Sequence, residues 1–204
     1  MPPQTNQRID GKRLWDSLMG MAEIGATPKG GVRRLTLTDV DRHGRDRFRA
    51  ECEAAGLTVR VDAIGNMFAR RAGRDPSRLP VLFGSHLDSQ PSGGKFDGAL
   101  GVLAGLECIQ AITETRTRHA RPLVVAAWSD EEGRYGSLFG SRAFCGLLDP
   151  FADLRKPVLQ LLHRVKNKYH TRQIWPKISL TQSTETTITW CAKPAKSRFR
   201  NFEF

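Results

Sequence analysis

Between Asp10 and Ile24 the apolar residues Leu14, Leu18, Met21 and Ile24 recur at helical spacing, which predicts an amphipathic helix capped by Asp10. Thr38-Asp39-Val40-Asp41 reads as a capping box that opens a second helix, running to about Ala55 and stopped by Gly56. The period then changes. Leu57, Val59 and Val61 alternate with polar residues, as in a half-buried strand. Gly65-Asn66 signals a turn, and residues 67–70 pair back as a hairpin. Residues 79–83 are a short apolar run, read as a buried strand. Residues 98–112, GALGVLAGLECIQAI, predict an apolar helix whose small residues suit packing on a sheet, and residues 122–128 a second buried strand. Strand, loop, helix and strand at this spacing make a βαβ unit, so the expected fold class is α/β. Loops at the carboxyl ends of such strands are where α/β sheets place ligands.

Composition divides the chain. Residues 1–150 hold 21 Lys and Arg against 18 Asp and Glu, whereas residues 151–204 hold 11 against 3. All 19 glycines lie at or before Gly146. The expected organisation is therefore a folded unit over 1–150 and a basic, atypical tail over 151–204. The tail reads either as a partly disordered extension or as residues translated out of frame. Its apolar residues cluster only at 158–162. The formal net charge of +11 is mostly a property of this tail, which argues against a nucleic-acid-binding role for the rest. The first ten residues contain no apolar core of a secretory signal, and no stretch reaches the ~18–20 apolar residues of a membrane span. Cys52, Cys108, Cys145 and Cys191 form no CxxC pair, so neither a disulfide framework nor a thiolate metal site is expected, and a cytoplasmic location is the expectation.

The chemistry concentrates where the two buried strands end. The first delivers Gly84-Ser85-His86-Leu87-Asp88, the second Ser129-Asp130-Glu131-Glu132-Gly133, and Asp97 opens the helix between them. Taken singly, His-x-Asp, Asp-Gly and Glu-Glu-Gly are ordinary surface or turn sequences. Together they bring several carboxylates and one imidazole to one sheet edge, where like charges raise one another's pKa unless a cation compensates them. Imidazole and carboxylate ligands suit zinc, with cobalt or manganese as alternatives. His86 is then a metal ligand. Asp88, two residues on, is placed to accept the other imidazole N–H. Asp97 is free to bridge two ions. One of Glu131 and Glu132 ligates while the other takes a proton from water. Gly93, Gly94 and Gly98 let the backbone turn close to the ions.

The stretch GSHLDSQPSGGKFDGALGVLAGLE followed by WSDEEG closely resembles the hydantoinase/carbamoylase family of amidases. The likeness runs upstream through GATPKGGVRRLTLTDVDRHGRDRFRAECEAAGLTVRVDAIGNMFAR and covers about residues 10–150. This family includes N-carbamoyl-L-amino-acid hydrolases, β-ureidopropionases and allantoate amidohydrolases, and SQPSGGKFDG is similar to the first two groups. The resemblance implies a zinc-aminopeptidase-like three-layer catalytic domain with two divalent ions. It makes His86 a metal ligand, Asp97 the bridging ligand, Glu132 a ligand of the second metal, Glu131 the general base and Asp88 the residue that orients His86. The implied reaction is hydrolysis of a ureido C–N bond in a small molecule, giving an amino acid, CO2 and ammonia.

Two features depart from the family. Its members are about twice as long, with a lid and dimerisation domain inserted after the Glu-Glu-Gly loop. They also carry two further metal-binding histidines, one in a His-Ile-Glu-Gln-Gly segment that this sequence lacks. The tail's His163 and His170 do not stand in that context. The expectation is the N-terminal part of such a catalytic domain, without the lid, without the native-type homodimer and with impaired turnover. Two alternatives remain: an inactive remnant of the family, or a protein whose basic tail, with Tyr169, Trp175 and Trp190, binds nucleic acid non-specifically.

Overall fold

The computed structural model describes residues 8–148. The expectations for residues 151–204, including the 158–162 cluster, His163, His170 and Cys191, lie outside the described residues. Four helices and four strands follow in the order α1 (Gly11–Glu23), α2 (Asp39–Ala54), β1 (Thr58–Val61), β2 (Met67–Arg71), β3 (Val81–His86), α3 (Ala99–Glu114), β4 (Leu123–Trp128) and α4 (Phe139–Cys145). Asp10 caps α1 by accepting from the Arg13 N–H at 3.0 Å. Thr38 caps α2 by accepting from the Asp41 N–H. The return contact of the expected box is displaced by one residue: Asp41 accepts from the Leu37 N–H at 2.7 Å, and Leu37 takes a left-handed φ of 61°. Gly56, at φ 77°, ends α2 as anticipated.

The sheet order is β1-β2-β4-β3. β1 and β2 form the expected antiparallel hairpin, with Thr58 opposite Arg70. β2 pairs antiparallel with β4, and β3 pairs parallel with β4 from Val81–Leu123 to His86–Trp128, so β3, α3 and β4 make the βαβ unit. β4 is central and buried nearly throughout. β3 corrects the sequence reading on two counts. It begins at Val81 and continues to His86, and among the described residues it is an edge strand, with Leu79 and Val81 each 45% exposed. A continuous apolar run reports burial on two faces, but not whether a neighbouring strand covers its free side.

Alternation along the strands separates two apolar layers. Met67, Ala69, Val125 and Ala127 face Leu18 and Met21 of α1, Phe48 and Cys52 of α2, and Val102, Leu106 and Ile109 of α3. Phe68, Val124 and Ala126 face the other way, against Leu82, Trp128 and Phe144 of α4. Helices therefore lie on both faces of the sheet, and the three-layer α/β arrangement expected from the sequence is present. One ionic contact is built into the first layer. Glu107, 2% exposed on the apolar α3, accepts from Arg13 Nε at 2.6 Å and Nη2 at 2.9 Å, and from the Asp10 N–H. No helix among the described residues is long and apolar enough to cross a membrane.

Candidate metal centre

The carboxyl ends of β3 and β4 lie side by side, and this adjacency assembles the candidate site. His86, the last residue of β3, is 6% exposed. Its Nδ1 lies 3.0 Å from the backbone carbonyl of Asp88, so Nδ1 carries the proton and donates it there. The other ring nitrogen, Nε2, is the one turned toward the neighbouring strand end. That atom faces Glu131 Oε2 at 3.3 Å and Asp97 Oδ1 at 3.9 Å. His86, Glu131 and Glu132 each offer a ligand atom, all within 4.8 Å of one another. Asp97 borders this trio without belonging to it, and its side chain is 60% exposed.

Gly98 explains how the imidazole fits. It is the N-cap of α3 at φ 66°, and a Cβ built there would stand 2.5 Å from both His86 Nδ1 and Nε2. Only glycine allows α3 to start against the ring. Gly94, four residues earlier, meets nothing closer than 3.9 Å, so the glycines of this loop differ in function.

Asp88 is 4% exposed. Its Oδ2 accepts from the Thr36 hydroxyl at 2.9 Å and the Glu132 N–H at 3.2 Å. Its Oδ1 has no hydrogen-bond partner and lies 3.7 Å from His86 Nδ1. The spacing argument placed the carboxylate on the imidazole N–H. In the structure the residue's own carbonyl accepts that hydrogen bond, because the chain after β3 turns so that the carbonyl approaches Nδ1. Burial pushes the Asp88 carboxyl above the usual carboxylate range, while His86, the Thr36 hydroxyl and the Glu132 N–H pull it back. Asp130 is fully buried at φ 55°, and its Oδ2 accepts from the Tyr135 and Gly136 N–H groups. Burial raises its pKa too.

Several supporting residues gave no signal in the sequence. The connector between α1 and α2 is zipped onto the loop after β3. Val32 and Gly93 exchange backbone hydrogen bonds, the Ser89 N–H donates to the Arg34 carbonyl, and the Arg34 N–H donates to Ser89 Oγ. The Arg34 guanidinium, 1% exposed, donates to the carbonyls of Leu87, Met21 and Ile24. On the β4 side, Gln90 Nε2 donates to Glu132 Oε2 at 3.0 Å. Asn66, fully buried, donates to Asp62 and the Gly140 carbonyl and accepts from the Ser129 N–H, tying the hairpin turn to the β4 loop and α4.

The donor chemistry fits a divalent cation. One imidazole nitrogen and two carboxylates lie within 4.8 Å of one another, with the Asp97 carboxylate bordering them, and catalytic zinc commonly takes three protein ligands of these types.

The fold and its imidazole–carboxylate edge agree with the family comparisons. The family model for Peptidase family M28 matches residues 66–162. The chain belongs to the hydantoinase/carbamoylase amidases. It is 50% identical over 147 residues to an N-carbamoyl-L-amino-acid amidohydrolase of Rhizobium meliloti, covering 71% of this chain and 35% of that protein. It is 46% identical over 147 residues to an N-carbamoyl-L-amino acid amidohydrolase of Geobacillus stearothermophilus, covering 71% and 36%. A crystal structure of a hydantoinase/carbamoylase family amidase from Burkholderia ambifaria superposes with a TM-score of 0.68 at 55% identity, covering 70% of this chain and 36% of that one. The chain thus spans about a third of the length of the curated relatives it matches.

Proposed function

We propose that this chain carries part of the catalytic centre of a metal-dependent amidohydrolase. Its substrate would be a ureido or carbamoyl compound, an N-carbamoyl-L-amino acid or a β-ureido acid, cleaved at the C–N bond to the amino acid, CO2 and ammonia. The observation that carries the reading is the buried ring nitrogen His86 Nε2, held against Glu131 and Asp97 with Glu132 alongside. In the reading proposed, His86, Asp97 and Glu132 hold divalent cation, with zinc preferred and manganese or cobalt as alternatives. The bound cation supplies Lewis-acid polarisation and lowers the pKa of water.

The chain's own residues do the rest. Glu131, half-buried beside Nε2, takes the proton of the attacking water at Oε2 and returns it to the leaving nitrogen. The Asp88 carbonyl fixes the His86 tautomer, and the Asp88 carboxylate holds the Glu132 backbone. Asp97, the most exposed of the set, would be the carboxylate shared with a second cation.

The test is metal content and turnover of the 204-residue chain beside a His86→Ala control. Zinc retained after desalting and lost in the control supports the centre. Ammonia release from an N-carbamoyl-L-amino acid, abolished by Glu131→Gln with the metal still bound, supports the reaction. A wild-type chain that retains no zinc, cobalt or manganese would refute the reading.

A further inference from the structure

We infer that Thr36, in the connector between α1 and α2, is a positioning residue for the metal centre, acting through Asp88. The inference rests on the reading just proposed and adds a residue to it. Thr36 lies 50 positions upstream of His86 and is 2% exposed. Its hydroxyl donates to Asp88 Oδ2 at 2.9 Å, the oxygen that also accepts from the Glu132 N–H. With two donors on one oxygen, the carboxylate cannot rotate without losing both. Its other oxygen, Oδ1, is thereby held without a partner, 3.7 Å from His86 Nδ1. The Thr36 hydroxyl thus helps fix the side chain of Asp88, which ties the loop after β3 to the Glu132 backbone at the β4 end and lies beside the His86 ring.

Thr36 is itself firmly placed. Its carbonyl accepts from Arg134 Nη1 at 2.5 Å, and two residues earlier Arg34 and Ser89 lock the connector to the loop after β3. A valine at 36 would keep the shape and the backbone contacts and remove only the hydroxyl. Outer residues that orient metal ligands commonly change metal affinity 10–100-fold when mutated.

The experiment measures zinc affinity of the 204-residue chain by competition with a chromophoric chelator. It compares wild type, Thr36→Val, Thr36→Ser, Asp88→Asn and the Thr36→Val/Asp88→Asn double variant, with circular dichroism and thermal unfolding on each. Thr36→Val is expected to weaken zinc binding 10–100-fold, with Thr36→Ser within about threefold of wild type. In the Asp88→Asn background, adding Thr36→Val is expected to change affinity by less than about threefold, since the partner through which it acts is already altered.

Wild-type affinity in Thr36→Val would overturn the inference. So would a loss that persists in full on the Asp88→Asn background, which would mean action through another group. Should Thr36→Val not fold, Thr36→Ala is measured in its place, and failure of both to fold would make Thr36 structural only. A wild-type chain that binds no zinc while folded would instead remove the proposed centre, and this inference with it.

Discussion

The Gly98→Ala variant is the most direct perturbation of the site. Alanine at φ 66° and ψ −49° occupies a region that L side chains rarely adopt, with a strain of about 1–3 kcal/mol. Its Cβ would stand 2.5 Å from two ring nitrogens of His86, whereas an ordinary non-bonded contact needs about 3.5 Å. The ring or the start of α3 must therefore move by about 1 Å. A ring forced off its rotamer costs about 0.5–1.5 kcal/mol, and stretching the 3.0 Å bond from Nδ1 to the Asp88 carbonyl about 1 kcal/mol more. The total is about 2.5–5.5 kcal/mol, a large part of a small domain's stability.

The same displacement carries Nε2 away from the carboxylates, so zinc affinity should fall at least about tenfold. Urea unfolding followed by circular dichroism measures the first quantity and chelator competition the second. Gly94→Ala is the control. It lies in the same loop with nothing closer than 3.9 Å, so it should stay within about 0.5 kcal/mol of wild type. If Gly98→Ala and Gly94→Ala unfold at the same urea concentration and bind zinc equally, the packing of the ring against α3 is not what orders the site.

Two further outcomes follow from the hairpin turn. Asn66→Ala strips partners from the Gly140 carbonyl and the Ser129 N–H at a fully buried position, and urea unfolding should show a loss of about 2–4 kcal/mol. Burial pushes the Asp62 carboxyl up to about 6 from a usual value near 3.8, against the opposing hydrogen bonds from Asn66 and Ile64. A pKa raised in the folded state contributes stability that is present below about pH 4 and lost as pH rises through about 6. The difference in unfolding free energy between wild type and Asp62→Asn should therefore change across pH 4–6 and be flat above pH 7, and a constant difference would contradict the burial of that carboxyl.

Much of the architecture was legible because local rules and the fold agree. The spacing of Leu14, Leu18 and Met21, the caps at Asp10 and Thr38, the stop at Gly56 and the turn at Gly65-Asn66 all act within a few residues, and each is where the sequence put it. The βαβ unit followed because only a crossover helix joins two parallel strands so closely. What escaped depends on distance along the chain. The pairing of residues 32–36 with residues 87–93 joins segments more than fifty positions apart and leaves no period to read. α4 is seven residues long and starts after Leu138 in a left-handed conformation, without the Ser, Thr, Asp or Asn that usually announces a helix. The edge position of β3 depends on what lies beside it, which its own residues do not encode. Asp88 shows a finer limit. A two-residue spacing brought the right residue to His86, but whether its carboxylate or its carbonyl accepts the N–H depended on how the loop turned.

Among the described residues β3 is the edge strand, and this bears on how the site should respond to a cation. Strands at a margin open locally with free energies below that of global unfolding, and their amides exchange hydrogen sooner than those of a central strand. His86 ends that margin strand, while Glu131 and Glu132 follow the buried β4. An ion held by both would cross-link the outermost rung of the ladder to its neighbour. Its binding would be readable as slowed deuterium uptake along residues 81–86, with little change in β4, whose amides are already shielded.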